Sequence, residues 1–429
     1  MSTATWRGRT APPPAASGRQ PGLDGLRGVA ALVVVLTHLL MVVPAISRLY
    51  VPDGEPASPD PYSVTWWLYR TPLRVIWSGE EAVLVFFVLS GLVLTLPVAR
   101  GASAPEWRTW YPRRLARLYL PVWASLGLAL ALVALVPRDV TAESSWIAAH
   151  TPVTARALQY DVTLLLGNSH LNSPLWSLRW EIWFSLLLPL AVLAVTRVRV
   201  GRWWPTAVVV LALCSALGRT DVAGRLLPLA AVTQGLLTYL PVFAIGVVLA
   251  QVLDRLIGAA ARVEAGRHPT LVWGLLGSAS AVAMVSPTYV DPAAVPAAVP
   301  VLLHVVSLLA VTALVVLAVG SPGVRRLLSR RPAQWLGSRS FSLYLVHEPF
   351  VVAAALLLGG PSVAVWGAAA VPLLVLAFGA AELFHRFVEA PSHRFSRSLG
   401  RARAPGHRTP VPAGPSRPIV SGAGTGTPD

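Results

Sequence analysis

The chain alternates long apolar runs with short polar connections. A helix that crosses a membrane needs ~20 mostly apolar residues. Ten stretches come near that length: Val29–Ser47, Ala82–Val98, Leu115–Val136, Trp176–Val195, Trp204–Leu217, Leu227–Gln251, Leu271–Ser286, Val301–Val319, Trp335–Leu358 and Val363–Phe387. The fifth and seventh are the shortest. Ala157–Gly167 is also apolar but too short to span, and reads as a re-entrant or interfacial piece. The pattern predicts an all-α fold, a polytopic membrane bundle of about ten transmembrane helices.

The polar connections carry a second pattern. Arginines crowd the first tail (Arg7, Arg9, Arg19, Arg27) and every second loop thereafter, from Arg100–Arg117 through Arg325–Arg339 to the last tail. The intervening loops are poor in arginine, and the last two have none. The first of them is mixed, with Asp53, Glu55 and Asp60 against Arg48, Arg70 and Arg74. Such alternation is what the positive-inside rule requires of a bundle with both termini in the cytoplasm. It also supports the helix count, because one helix more or fewer would invert every later loop.

Composition agrees. Of 429 residues, 55% are hydrophobic and only 13% charged, and the mean hydropathy is +0.61. The net charge of +16 comes from arginine alone, since the chain has no lysine. Nucleic-acid binding would gather those arginines on one soluble face; their spread over alternate loops points to the lipid bilayer instead. The first apolar run lacks a signal-peptide cleavage pattern and reads as a retained helix. Residues 1–20 and 398–429, rich in Pro, Gly and Ser, are expected to be disordered cytoplasmic tails around a membrane domain at 21–397. The single cysteine, Cys214, reads as a small hydrophobe in a core.

Polar side chains inside the apolar runs carry the candidate chemistry, because burying them in lipid is costly without a partner or a task. In LDGLRGVAALVVVLTHLL, Arg27 and His38 are eleven residues apart. That is three helical turns, so both point the same way, roughly 16 Å apart along the axis. Arg27 falls at the inner rim and His38 near mid-membrane, the place for a general base with an anion held below it. In PLWSLRWEIWFSLLLP the helix enters from outside, which puts Glu181 one to two turns below the outer surface, able to orient His38. YPRRLARLYLP clusters Arg113, Arg114 and Arg117, a residue type suited to phosphates. LGSRSFSLYLVHEPF buries Tyr344 and His347, followed by Glu348. Ser90–Gly91 in FFVLSGL reads as close helix packing. There is no metal-ligand spacing, phosphate-binding loop or dinucleotide fingerprint. Residues alone leave two classes open, a group transferase and a proton-coupled multispanning exporter that uses the His/Glu pair as a relay.

In order along the chain, LDGLRGVAALVVVLTH, FFVLSG, RRLARLYLP, WSLRWEIWF and LGSRSFSLYLVHEP, with AELFHRFVEAP at the end, resemble the acyltransferase 3 family of integral membrane O-acyltransferases. The likeness runs from about Leu23 to Pro391. It implies ten core helices and transfer of an acyl group, often acetyl from cytoplasmic acyl-CoA, to a hydroxyl of a glycan, glycolipid or secreted glycoside. It implies a cell-membrane, multi-pass enzyme that uses acyl-CoA as donor and no metal. The family's arginine-x10-histidine motif falls on Arg27 and His38, its CoA-linked arginine motif on Arg113, Arg114 and Arg117, and its W-S-L-x-x-E element on Trp176 to Glu181. The resemblance thus implies His38 and Glu181 as catalytic, Arg27 and the three arginines as donor-binding, and Asp24, Tyr344 and His347 along the substrate path. The chain departs from the family at GEEAVLV before FFVLSG, at Ser185 and at V-E-A-P, which bears on the acceptor pocket more than on the chemistry.

Overall fold

The computed structural model describes residues 20–50, 59–138, 144–150, 153–220, 230–359 and 361–399. Most of the two expected tails lies outside them. Eleven helices carry the architecture: α1 (Pro21–Met41), α2 (Gly79–Ala99), α3 (Trp107–Leu135), α4 (Leu175–Arg197), α5 (Trp204–Gly218), α6 (Ala230–Glu264), α7 (Pro269–Met284), α8 (Ala298–Gly320), α9 (Arg331–Leu357), α10 (Val363–Phe384) and α11 (Ala390–Ser398). There is no strand among the described residues. Among the described residues nine spans are long and apolar enough to cross a membrane, α10 running into α11 as one of them. The tenth apolar helix, α7, has 16 residues and falls short.

Several helices begin where the sequence supplies a start. Pro21 and Pro269 occupy first-turn positions, where a missing N–H costs nothing. Ser362 caps α10 by accepting from the Val365 amide. Pro21 starts α1 well before the apolar run does, so Arg27 lies inside the helix with His38.

Small residues let helices approach closely where lipid offers no hydrophobic drive to pack. A Cβ on Gly28 would stand 2.5 Å from the backbone nitrogen of Gly337, so α1 and α9 touch backbone to backbone. Gly91 on α2 and Gly246 on α6 meet in the same way. The glycine half of the Ser90–Gly91 expectation therefore holds, while Ser90 has a different task. Cys214 is exposed on the outer wall of the bundle, not in the core, because α5 turns that face away from its neighbours.

The connection between α3 and α4 dips into the bundle. A short helix, Ala155–Thr163, lies against the middle of α3, where Tyr119 and Trp123 donate to the carbonyls of Thr163 and Val162. The Pro174 carbonyl accepts from Tyr344 at 3.0 Å, and Tyr344 is halfway along α9. So α4 starts at mid-depth and not at the outer surface. Glu181, two turns further on, lies on the arginine-rich side of the middle.

Candidate active site

α1 and α9 run side by side in the same direction. Arg27 lines a cavity together with Gly337, Ser338 and Phe341, and His38 bonds to His347 nine residues further along α9 than Ser338. The expected common stripe exists: both side chains face α9, one low and one high. Their immediate surroundings differ, because Arg27 opens on the cavity while His38 stands beyond its closed end.

The cavity holds about 520 Å³. Its arginine end is lined by Asp24, Arg27, Arg114, Arg117, Glu181 and Ser90. Arg114 makes an ion pair with Glu181 and bonds to Ser185, and Ser90 Oγ donates to Glu181 at 2.7 Å. Two expectations change here. Glu181 does not orient His38; it is the counter-ion of Arg114, which follows from the mid-depth start of α4. Arg113 does not line the cavity. Helical spacing turns Arg114 and Arg117 inward, leaving the Arg113 Nε buried with no hydrogen-bond partner among the described residues. Among the described residues Arg27 and Arg117 have no carboxylate within 4 Å.

The far end is closed by Tyr344. Its hydroxyl shares a 2.7 Å bond with Ser177 Oγ and donates to Pro174. Phe86 packs edge-on at 6.0 Å between ring centroids. Immediately behind, 6.1 Å from the Tyr344 ring, is His347. His347 Nδ1 lies 2.8 Å from the Leu343 carbonyl and its Nε2 lies 2.9 Å from His38 Nδ1. A carbonyl only accepts, so Nδ1 of His347 carries the proton. With both rings neutral, Nε2 of His347 accepts from Nδ1–H of His38, which leaves the lone pair of His38 on Nε2.

Trp146 stacks on the other side of His38, 5.5 Å between centroids. It sits on a short helix, Ser145–Ala149, that is fastened to α9 through His150. His150 Nε2 is 2.9 Å from Glu348 Oε1, and Glu348 also accepts from the amide and hydroxyl of Ser173. Glu348 is fully buried. Sequence reasoning did not connect Trp146, His150 and Ser173 to this place. The one signal was a carboxylate within an apolar run, which implied a partner without naming it.

At the arginine end, His385 and Glu389 sit on a π-helical turn between α10 and α11 and line the cavity with His393. This second cluster went unassigned in the sequence, where it looks like the charged flank of a last span. Among the described residues no group of three His, Cys, Asp or Glu side chains converges as a metal would require.

A membrane bundle with an arginine-lined cavity whose closed end backs onto a pair of imidazoles has the parts of a group-transfer enzyme. Residues 20–382 match the model of the acyltransferase domain family, acyltransferase 3, and the chain belongs to that family. It is therefore a multi-pass membrane acyltransferase. It is 29% identical over 432 aligned positions to Acyltransferase MdmB of Streptomyces mycarofaciens, covering 94% of this chain and 98% of that one. Over 133 positions it is 26% identical to Acyltransferase R4 of Phoma sp. (strain ATCC 20986 / MF5453), covering 26% of this chain and 28% of the relative. No solved structure matches.

Proposed function

We propose that this protein transfers an acyl group, acetyl being the smallest candidate, from acyl-CoA to a hydroxyl on a glycan, glycolipid or secreted glycoside in the cell membrane. The observation that carries the reading is the cavity joining Arg27 and Arg117 to a floor one side chain thick beneath His347 and His38. With the arginine-rich loops and both termini in the cytoplasm, as the charge alternation supports, that cavity opens to the side where acyl-CoA is found. The phosphates rest on Arg27, Arg117 and Arg114, and the pantetheine arm runs along Phe86, Phe87, Val93 and Phe341 toward Tyr344.

The acceptor comes from the opposite side. Nε2 of His38 takes the hydroxyl proton, and the oxygen adds to the thioester carbonyl. The tetrahedral intermediate expels the CoA thiolate, which recovers the proton from the imidazolium. His347 holds His38 in the tautomer whose lone pair is free. General-base help of this kind supplies ~10²–10⁴ in rate. Glu181 acts one step back, by fixing Arg114.

The test is purified protein given labelled acetyl-CoA and extracts of membrane glycans and secreted glycosides, read by mass spectrometry. A new labelled ester is expected. Substrate flux that is unchanged without acyl-CoA, with no ester formed, would favour the exporter instead.

A further inference from the structure

The proposed transfer leaves the histidine cluster at the arginine end of the cavity without a task. His385 Nδ1 lies 3.1 Å from Glu389 Oε2, and His393 Nε2 lies 3.8 Å from Glu389 Oε1. Ser342 Oγ on α9 donates to Glu389 at 2.6 Å, tying the π turn to the neighbouring helix. Glu389 is nearly inaccessible, 7% of its side chain, whereas His385 and His393 expose 22% and 25%. The carboxylate is thus withdrawn and the imidazoles face the space. π turns within α-helices are frequent at functional sites, and here the turn and the helix after it present both rings to one cavity.

Charge around the lining makes these rings decisive. Arg27, Arg114 and Arg117 are matched by Asp24, Glu181 and Glu389. With neutral histidines the lining carries no net charge, yet a CoA thioester brings several negative charges on its phosphates. Among the described residues that line the cavity, His385 and His393 are the ones whose protonation would tip the balance.

We infer that His385 and His393, steadied by Glu389, are ligands for the donor's phosphate groups, and that donor binding draws protons onto this pair. The inference rests on the acyl-CoA reading. The charged groups facing the pair are Glu389 on the same turn, Arg397 beyond it on α11 and Arg117 from α3, with Asp24, Arg27, Arg114 and Glu181 across the cavity. An arriving phosphate stabilises the imidazolium form of a ring that faces it.

The experiment is titration calorimetry of the detergent-purified full chain with acetyl-CoA at pH 7, in two buffers of different ionisation enthalpy, repeated across pH 6–8. The enthalpy should show net proton uptake, and the Kd should weaken several-fold from pH 6 to pH 8. Loss of the donor's own phosphate proton would show as release, the opposite sign. The double variant His385→Asn, His393→Asn should bind with a flat pH dependence and take up no protons. Wild type that binds without uptake and with constant Kd overturns the inference while leaving the donor reading in place. Uptake that persists in the double variant assigns the proton to Glu389 and overturns it as well. Wild type that does not bind acetyl-CoA at all removes the donor reading and the inference together.

Discussion

Gly28→Ala offers a test of how the two ends of the site are held in register. The added Cβ would lie 2.5 Å from the Gly337 nitrogen and 2.8 Å from the Leu336 carbonyl carbon, while ordinary contact begins at 3.4 Å. These are backbone atoms of α9 and cannot turn aside, so α1 must move away by about 1 Å. Overpacking of this kind costs about 1–3 kcal/mol, partly offset by alanine's better helix propensity, worth up to about 1 kcal/mol. The larger effect is on function. Because α1 is one unbroken helix, the shift carries to His38, whose 2.9 Å bond to His347 then exceeds hydrogen-bonding distance. A misplacement of ~1 Å at reacting groups can cost ~10²-fold. The assay is the initial rate of acyl transfer per folded molecule, with thermal unfolding followed by tryptophan fluorescence. Gly367→Ala, on an exposed face of α10 with nothing within 4 Å, serves as control and should be neutral or slightly stabilising. A Gly28→Ala enzyme with wild-type rate and melting temperature would refute the close α1–α9 register.

Tyr344→Phe removes the bonds to Ser177 and Pro174 but keeps the ring that floors the cavity. Stability should fall by about 1–2 kcal/mol with the Kd for acetyl-CoA unchanged; a tenfold change in Kd would show instead that the hydroxyl touches the donor. Glu348→Ala strips the partner from His150 and from both Ser173 donors in a dry interior, which should cost about 3–5 kcal/mol. Glu348→Gln, which keeps an acceptor, should cost markedly less, and equal melting temperatures for the two would contradict the fastening role.

The helices were readable because lipid imposes a simple rule: about twenty apolar residues, then polar ones. The Arg27–His38 stripe was readable because helical periodicity fixes direction within one element. What failed were relations between elements. Glu181 was placed by counting turns from an outer surface, but α4 begins in the middle of the bundle, and its partner proved to be Arg114. Arg113 was grouped with Arg114 and Arg117 as one cluster, yet rotation of α3 turns Arg114 and Arg117 into the cavity and Arg113 away from it. Trp146 and His150 sit on a five-residue helix in a loop, far from His38 in the chain, and no periodicity points from one to the other. His385 and His393 were hidden because positive and titratable residues are expected at any cytoplasmic helix end.

The central claim is that donor and base occupy opposite ends of one path. The most direct measurement is His38→Asn, assayed twice on the same preparation: equilibrium binding of acetyl-CoA, and single-turnover transfer of its labelled acetyl group. Binding within about twofold of wild type, with transfer slowed ~10²–10⁴-fold, is the expected result, since His38 stands beyond the cavity that the arginines line. Transfer at the wild-type rate, or loss of donor binding along with it, would contradict the claim.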